Sequence, residues 1–127
     1  EVRTVGFVEY NQYVGISHDG LVGDEGMIEC KARNDEKHLY ILMTSDVDSS
    51  TIWQMNMQML VTGRKWCDFI SYNPNFKNSL FVKRFYPDEA KIQKLKVGIY
   101  EGTKMLKALL EDKIVKEEIN FKTQTNE

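Results

Sequence analysis

The sequence predicts an α/β protein in which helices lie on the faces of a central sheet. Three observations carry that prediction. Hydrophobic patterning gives the order strand–strand–strand–helix–helix–strand–strand–helix, which suits a layered α/β fold. Trp66–Tyr72 and Ser79–Tyr86 are rich in aromatic and β-branched residues, as strands are. From Pro87 to Asp112, by contrast, apolar residues recur at helical spacing.

Taken in order, residues 3–10, R-T-V-G-F-V-E-Y, alternate as a strand, Asn11-Gln12 turns, and Tyr13–Ser17 pairs back. Asp19-Gly20 and the glycines at 23 and 26 carry the chain round to a third strand, Met27–Lys31. These three strands are expected to form an antiparallel meander. Ala32–Glu36 is a polar connection, and His38–Thr44 places Leu39, Leu42 and Met43 at helical spacing. Asp46–Ser50 breaks that pattern and offers Ser49 or Ser50 as the N-cap of a helix over Thr51–Thr62, with Gly63 just past its end. Ile52, Met55, Met59 and Leu60 would be its buried stripe, while Gln54 and Gln58 share another face. Asn73-Pro74-Asn75 turns between the two aromatic strands. Pro87-Asp88-Glu89 then starts the last helix, proline early and acids in the first turn. Its stripe is Ile92, Leu95, Ile99, Leu106 and Leu109/Leu110, and the polar tail Lys122–Glu127 is expected to fray.

At 127 residues the chain is read as one domain, 1–127, with enough length for a core. A formal charge of −2 lacks the broad basic footprint of a general nucleic-acid binder. It is compatible with a locally basic groove beside an acidic site. Cys30 and Cys67 fall in predicted strands and read as buried free thiols of a reducing compartment. No apolar run is long enough to span a bilayer and no signal peptide is visible, so a cytoplasmic location is expected. No Walker A loop, zinc-ligand spacing or serine-nucleophile elbow occurs.

The chemistry concentrates between Asp19 and Lys31, D-G-L-V-G-D-E-G-M-I-E-C-K. Side chains alternate along a strand, so Met27, Glu29 and Lys31 share one side, and Ile28 and Cys30 are expected to point into the core on the other. Asp19 faces that charged row across a tight turn. Two acids without an obligatory partner repel, which favours a divalent cation between them. A solvated surface hairpin fits the same residues.

Two longer motifs carry a resemblance. S-H-D-G-L-V-G-D-E-G-M-I-E-C-K resembles the S-P-D-G-L…G-L-I-E-I-K box of the lambda-type phage exonucleases, a branch of the PD-(D/E)XK nuclease superfamily that includes YqaJ-like viral recombinases. W-Q-M-N-M-Q-M-L-V-T-G-R-K-W-C-D-F-I-S-Y-N-P resembles that family's Q-x-Q…M-x-V-T-x-x-x-W-x-x-F…Y-D-P segment. Together they cover roughly residues 5–87 in the family's order. His18 stands where proline is usual, Asn56 where a second glutamine is common, and Asn73 where aspartate is usual.

The resemblance implies a restriction-endonuclease-like core, a central mixed β-sheet of about five strands flanked by helices. It also implies a phosphodiester hydrolase acting on double-stranded DNA 5′→3′ in phage-type recombination with a single-strand annealing recombinase. Lambda-type members form homo-oligomers, toroidal trimers around the DNA. Asp19, Glu29, Lys31 and Gln54 would be the catalytic residues, with Gln58 in place of Gln54 if the helix phase differs. Asp19, Glu29 and the Cys30 backbone carbonyl would hold Mg²⁺, with Mn²⁺ as substitute and Glu9 as a further candidate ligand. Oxygen-only donors suit those hard cations. Lys31 would orient or activate the attacking water. Arg64, Lys65 and Lys83 are the candidate contacts to DNA phosphates. The family carries a helical segment ahead of this point, so the chain, which begins Glu1-Val2-Arg3, is read as the catalytic part of a longer protein. A structure-specific endonuclease on the same core, or a catalytically silent DNA-binding or assembly module, are the alternatives.

Overall fold

In the computed structural model of the chain, residues 1–3, 6–12 and 14–125 are described, the side chains of 113–125 excepted. The elements are β1 (Val2–Arg3), β2 (Phe7–Glu9), β3 (Gly15–Ser17), β4 (Gly20–Val22), β5 (Gly26–Ala32), α1 (Asp35–Thr44), α2 (Ser49–Thr62), β6 (Trp66–Tyr72), β7 (Leu80–Phe85) and α3 (Glu89–Thr125). The main sheet has five strands in the order β1-β4-β5-β6-β7, with β5 and β6 parallel and the other pairs antiparallel. A parallel pair needs a crossover, and α1 with α2 supplies it. The expected mixed five-stranded α/β architecture is therefore the observed one.

The meander expected at the start is built differently. β2 and β3 form a separate two-stranded sheet. The neighbour of β5 is β4, in the stretch read from sequence as a turn. Gly23, at φ +55°, lets the chain reverse within Gly23–Glu25, which frees Gly20–Val22 to pair with Gly26–Ile28. Gly26 is required for another reason: a Cβ there would collide with the Trp66 ring.

The faces of β5 also differ from expectation. Met27, Glu29 and Lys31 do share a side, but it is the core side. Met27, Cys67 and Phe69 are fully buried there, in a cluster with Leu21, Ile41, Val47, Met55 and Met59. The α1–α2 crossover covers this face, so Ile28 and Cys30 lie on the opposite one and Cys30 is exposed. Of the two cysteines, both free, only Cys67 is buried. The charged row is thus the rim of the core.

Capping fixes the helix positions. Asn34 Oδ1 accepts the Lys37 N–H at 2.9 Å, so α1 begins ahead of His38, and its buried residues are His38 and Ile41. Asp48, rather than Ser49 or Ser50, caps α2. Its Oδ2 accepts from Thr51 N at 3.1 Å, Thr51 Oγ1 at 2.8 Å and Ser50 Oγ at 2.7 Å. An ionised carboxylate has acceptor capacity for all three, more than a serine hydroxyl offers. Gly63 ends α2 in the left-handed conformation, as expected. The chain divides into two compact units, Glu1–Gln93 and Lys94–Glu127. Of the stripe expected on α3, Ile92 is buried, whereas Leu106, Leu109 and Leu110 are exposed. The helix runs through the expected tail to Thr125; residues 126 and 127 lie outside the described ones. Among the described residues no helix is long and apolar enough to cross a membrane.

Candidate active site

Helix α2 runs antiparallel over β5, and the two are matched rung by rung. Lys31 Nζ donates to Gln54 Oε1 at 3.4 Å, Gln58 Nε2 donates to Glu29 Oε2 at 3.0 Å, and Thr62 Oγ1 lies 3.6 Å from Met27 Sδ. Four helical residues rise about 6.0 Å and two strand residues about 6.6 Å, so residues spaced four on the helix meet residues spaced two on the strand.

Glu29 is only 4% exposed, and both of its oxygens are held. Oε1 pairs with Lys31 Nζ at 3.2 Å and Oε2 takes the Gln58 amide. A carboxylate so placed needs such partners, since an unpaired buried charge is strongly unfavourable. Lys31 joins Glu29 to Gln54, and its side chain remains a third exposed.

Asp19 lies one residue before β4. The β4–β5 register pairs Gly20 with Ile28, and extending it by one residue sets Asp19 opposite Glu29. Asp19 Oδ2 accepts the Cys30 backbone N–H at 2.7 Å, in effect prolonging the ladder beyond the end of β4. Its Oδ1 has no protein hydrogen bond among the described residues. In a strand, a residue's N–H and C=O point to the same edge. The Cys30 carbonyl is therefore directed to the edge where Asp19 sits.

The thiols register the charge of this cluster. Burial pushes the Cys67 thiol up to about 12, with the carboxylates of Glu29, Asp68 and Asp19 adding to it. Burial, Asp19 and Glu29 likewise raise Cys30. Both thiols are held protonated, which removes Cys30 as a nucleophile.

The other candidates are distributed as follows. Glu9 is exposed at the end of β2, opposite Gly15, and no described contact joins it to Asp19 or Glu29. Arg64 donates to the Gly23 carbonyl at 2.7 Å, and Lys65 pairs with Glu25 at 2.8 Å, so both hold the β4–β5 turn. Lys83 shares the face of Phe69 and Glu29, but its Nζ donates to the Ser45 carbonyl at 2.9 Å, at the end of α1. Among the described residues no three His, Cys, Asp or Glu side chains gather as a metal-binding group. The oxygen set available to a cation is thus two carboxylates and one backbone carbonyl.

The positions that depart from the exonuclease motifs do separate work. Asn56 is buried and turned away from β5, bonding the Ile52 carbonyl and accepting the Asp88 N–H at 2.8 Å. Asn73 joins Arg33, Asp35 and Asn75. His18, next to Asp19, has both ring nitrogens buried without a partner among the described residues. Gln58, the alternative to Gln54 on the same helix face, also enters the cluster. Its spacing of four from Gln54 was the available signal, and burial at 2% separates the two.

No family model and no curated protein matches the sequence. Solved structures do. The crystal structure of an alkaline exonuclease, LHK-Exo, from Laribacter hongkongensis is 35% identical, with a TM-score of 0.80 over 87% of this chain and 59% of that one. The same enzyme in complex with dAMP gives a TM-score of 0.79 at the same identity and coverage. The chain thus spans less than two thirds of the length of that relative. The fold and the shared third of residues make this chain similar to that alkaline exonuclease over most of its own length.

Proposed function

We propose that the chain is the catalytic part of a metal-dependent deoxyribonuclease, an exonuclease that hydrolyses double-stranded DNA 5′→3′ in phage-type recombination. The observation that carries this reading is the joining of Asp19, Glu29, Lys31 and Gln54 at one place on a fold shared with an alkaline exonuclease. The relative's complex with dAMP supports a nucleotide as the chemistry handled there.

The donor set fits a hard cation. Asp19 has an oxygen free of protein bonds among the described residues, Glu29 lies opposite, the Cys30 carbonyl shares the edge, and the Cys30 thiol lies on the other face of the sheet. Asp19, Glu29 and the Cys30 carbonyl would hold Mg²⁺, or Mn²⁺ in its place. Such an ion polarises the scissile phosphate and acidifies water. Lys31, anchored between Glu29 and Gln54, orients the attacking water and takes part in its proton transfer. Gln54 holds the ammonium and, through its amide, a water or a phosphate oxygen. Arg64, Lys65 and Lys83 supply sequence-independent contacts to the backbone. A single-strand annealing recombinase as partner and assembly into a homo-oligomer complete the proposal.

Incubation with Mg²⁺ and end-labelled linear or closed circular DNA tests it. Degradation of linear DNA with circles spared is the expected result, and release of label from 5′ ends first gives the polarity. Conversion of circles assigns the chain to endonucleases. Retardation of DNA without degradation leaves a binding or assembly module.

A further inference from the structure

We infer that Gln58 is a positioning residue that restricts Glu29 to one available oxygen, and so sets the preference of the Asp19–Glu29 site for Mg²⁺ over Ca²⁺. This rests on the metal-dependent reading above and concerns a residue which that reading does not use. The Gln58 amide is 2% exposed and donates to Glu29 Oε2 at 3.0 Å. Its own Oε1 is buried with no partner among the described residues. Leaving a buried carbonyl unpaired costs folding free energy. The neighbouring stripe of α2 is Met55 and Met59, and a methionine at 58 would fill a similar volume without that cost. The interaction set against the cost is the bond to Glu29.

That bond divides the carboxylate. Oε2 is occupied by the amide on the interior side, while Oε1 points to Lys31, whose side chain is a third exposed. Ca²⁺ takes six to eight oxygens and commonly uses both oxygens of a carboxylate, whereas Mg²⁺ takes fewer, closer ligands in a stricter arrangement. A glutamate limited to one oxygen withholds a ligand from Ca²⁺ and none that Mg²⁺ needs. Gln54 does not duplicate this role, since it meets Lys31.

The test is calorimetric titration of Mg²⁺ and of Ca²⁺ into the full chain, comparing wild type, Gln58→Met and Glu29→Gln, with thermal melting as the fold control. In Gln58→Met the affinity for Ca²⁺ relative to Mg²⁺ should rise by about tenfold, a change of roughly one decade in the ratio of constants, with somewhat lower melting because the buried Glu29 Oε2 loses its donor. A residue that only packs would leave the ratio as in wild type, and that result overturns the inference. Gln58→Leu serves the same comparison if the methionine variant does not fold. Glu29→Gln separates the two readings. Loss of binding there, with an unchanged ratio in Gln58→Met, removes the role of Gln58 alone. Wild-type binding in Glu29→Gln removes the metal reading of the site and this inference with it.

Discussion

Two polar clusters are buried against the same face of the sheet, and they differ in how completely they are satisfied. Under α1, His38 is fully buried with both ring nitrogens engaged, Nδ1 with Ser71 Oγ at 2.8 Å and Nε2 with the Asn78 carbonyl at 2.9 Å. A carbonyl only accepts, so Nε2 carries a proton, and in the neutral imidazole Nδ1 accepts from the serine hydroxyl. Nearby, Asn73 and Asn75 donate to Asp35 and hold its carboxyl below the usual range. Under α2, by contrast, Gln58 Oε1 and both nitrogens of His18 are buried without partners among the described residues. Among the described residues Asp19 Oδ1 has no protein hydrogen bond either. Closed networks fix a fold, whereas open valences beside charged groups are where a ligand has something to complete. The α1 cluster is read as architecture and the α2 cluster as chemistry.

The largest effect that divides them is expected at Lys31. Lys31→Ala should lower single-turnover cleavage by roughly 10²–10⁴, the scale for losing a positioned proton-transfer group. The variant should still fold, with some loss of melting temperature, because Glu29 loses its charged partner but keeps the Gln58 amide. Cleavage at the wild-type rate would move Lys31 into the architectural class.

His38→Ala should do the reverse. It opens a cavity and strands Ser71 Oγ and the Asn78 carbonyl, at a cost of about 3 kcal/mol in chemical denaturation. The rate per folded molecule should be retained. If instead cleavage vanishes while stability holds, the comparison has been drawn the wrong way round.

A smaller effect is expected at the α2 cap. Burial alone would raise the Asp48 carboxyl, but hydrogen bonds from Ser50 and Thr51 and the Arg33 charge, 3.0 Å away, hold it well below the usual range. Its folded value lies under its unfolded one, so its stabilisation is complete above about pH 4. It disappears as pH falls further through the folded value. Asp48→Ala should cost about 1 kcal/mol at neutral pH, and the difference from wild type should shrink on acidification. A pH-independent difference would mean the charge of the cap is not what holds the helix.

The smallest change is expected at Arg64 and Lys65. Both already have protein partners at the β4–β5 turn, so the double alanine variant should weaken DNA binding only modestly on all sequences. The slope of log affinity against log salt should flatten by about two. An unchanged slope would assign both residues to the turn alone.

The sequence shows the architecture clearly and the site in part. The order of elements from β5 onward, the Gly63 stop and the aromatic strands β6 and β7 follow from local pattern, and local pattern is what a sequence displays. The grouping of Asp19, Glu29, Lys31 and Gln54 was legible because two ordered motifs name them together. The inward face of β5 was not. Period-two alternation separates Glu29 from Cys30 but does not say which side the crossover will cover. β4 was hidden because the glycines at 20, 23 and 26 signal turns, and pairing to β5 overrides that preference. Gln58 was underrated because glutamine is normally a surface residue, and only burial reveals its bond to Glu29.

The pairing of α2 with β5 behaves as a vernier. Each rung advances the helix by about 6.0 Å and the strand by about 6.6 Å, so the two scales slip by about 0.6 Å per step. Over the three rungs from Lys31 to Met27 the slip is only about 1.2 Å, which flexible side chains absorb. Further rungs would drift out of step, and this limits how many helix groups one strand can recruit. Length is locked as well. One residue gained or lost between Gln54 and Thr62 turns the rest of the helix by about 100° and carries more than one group out of line together.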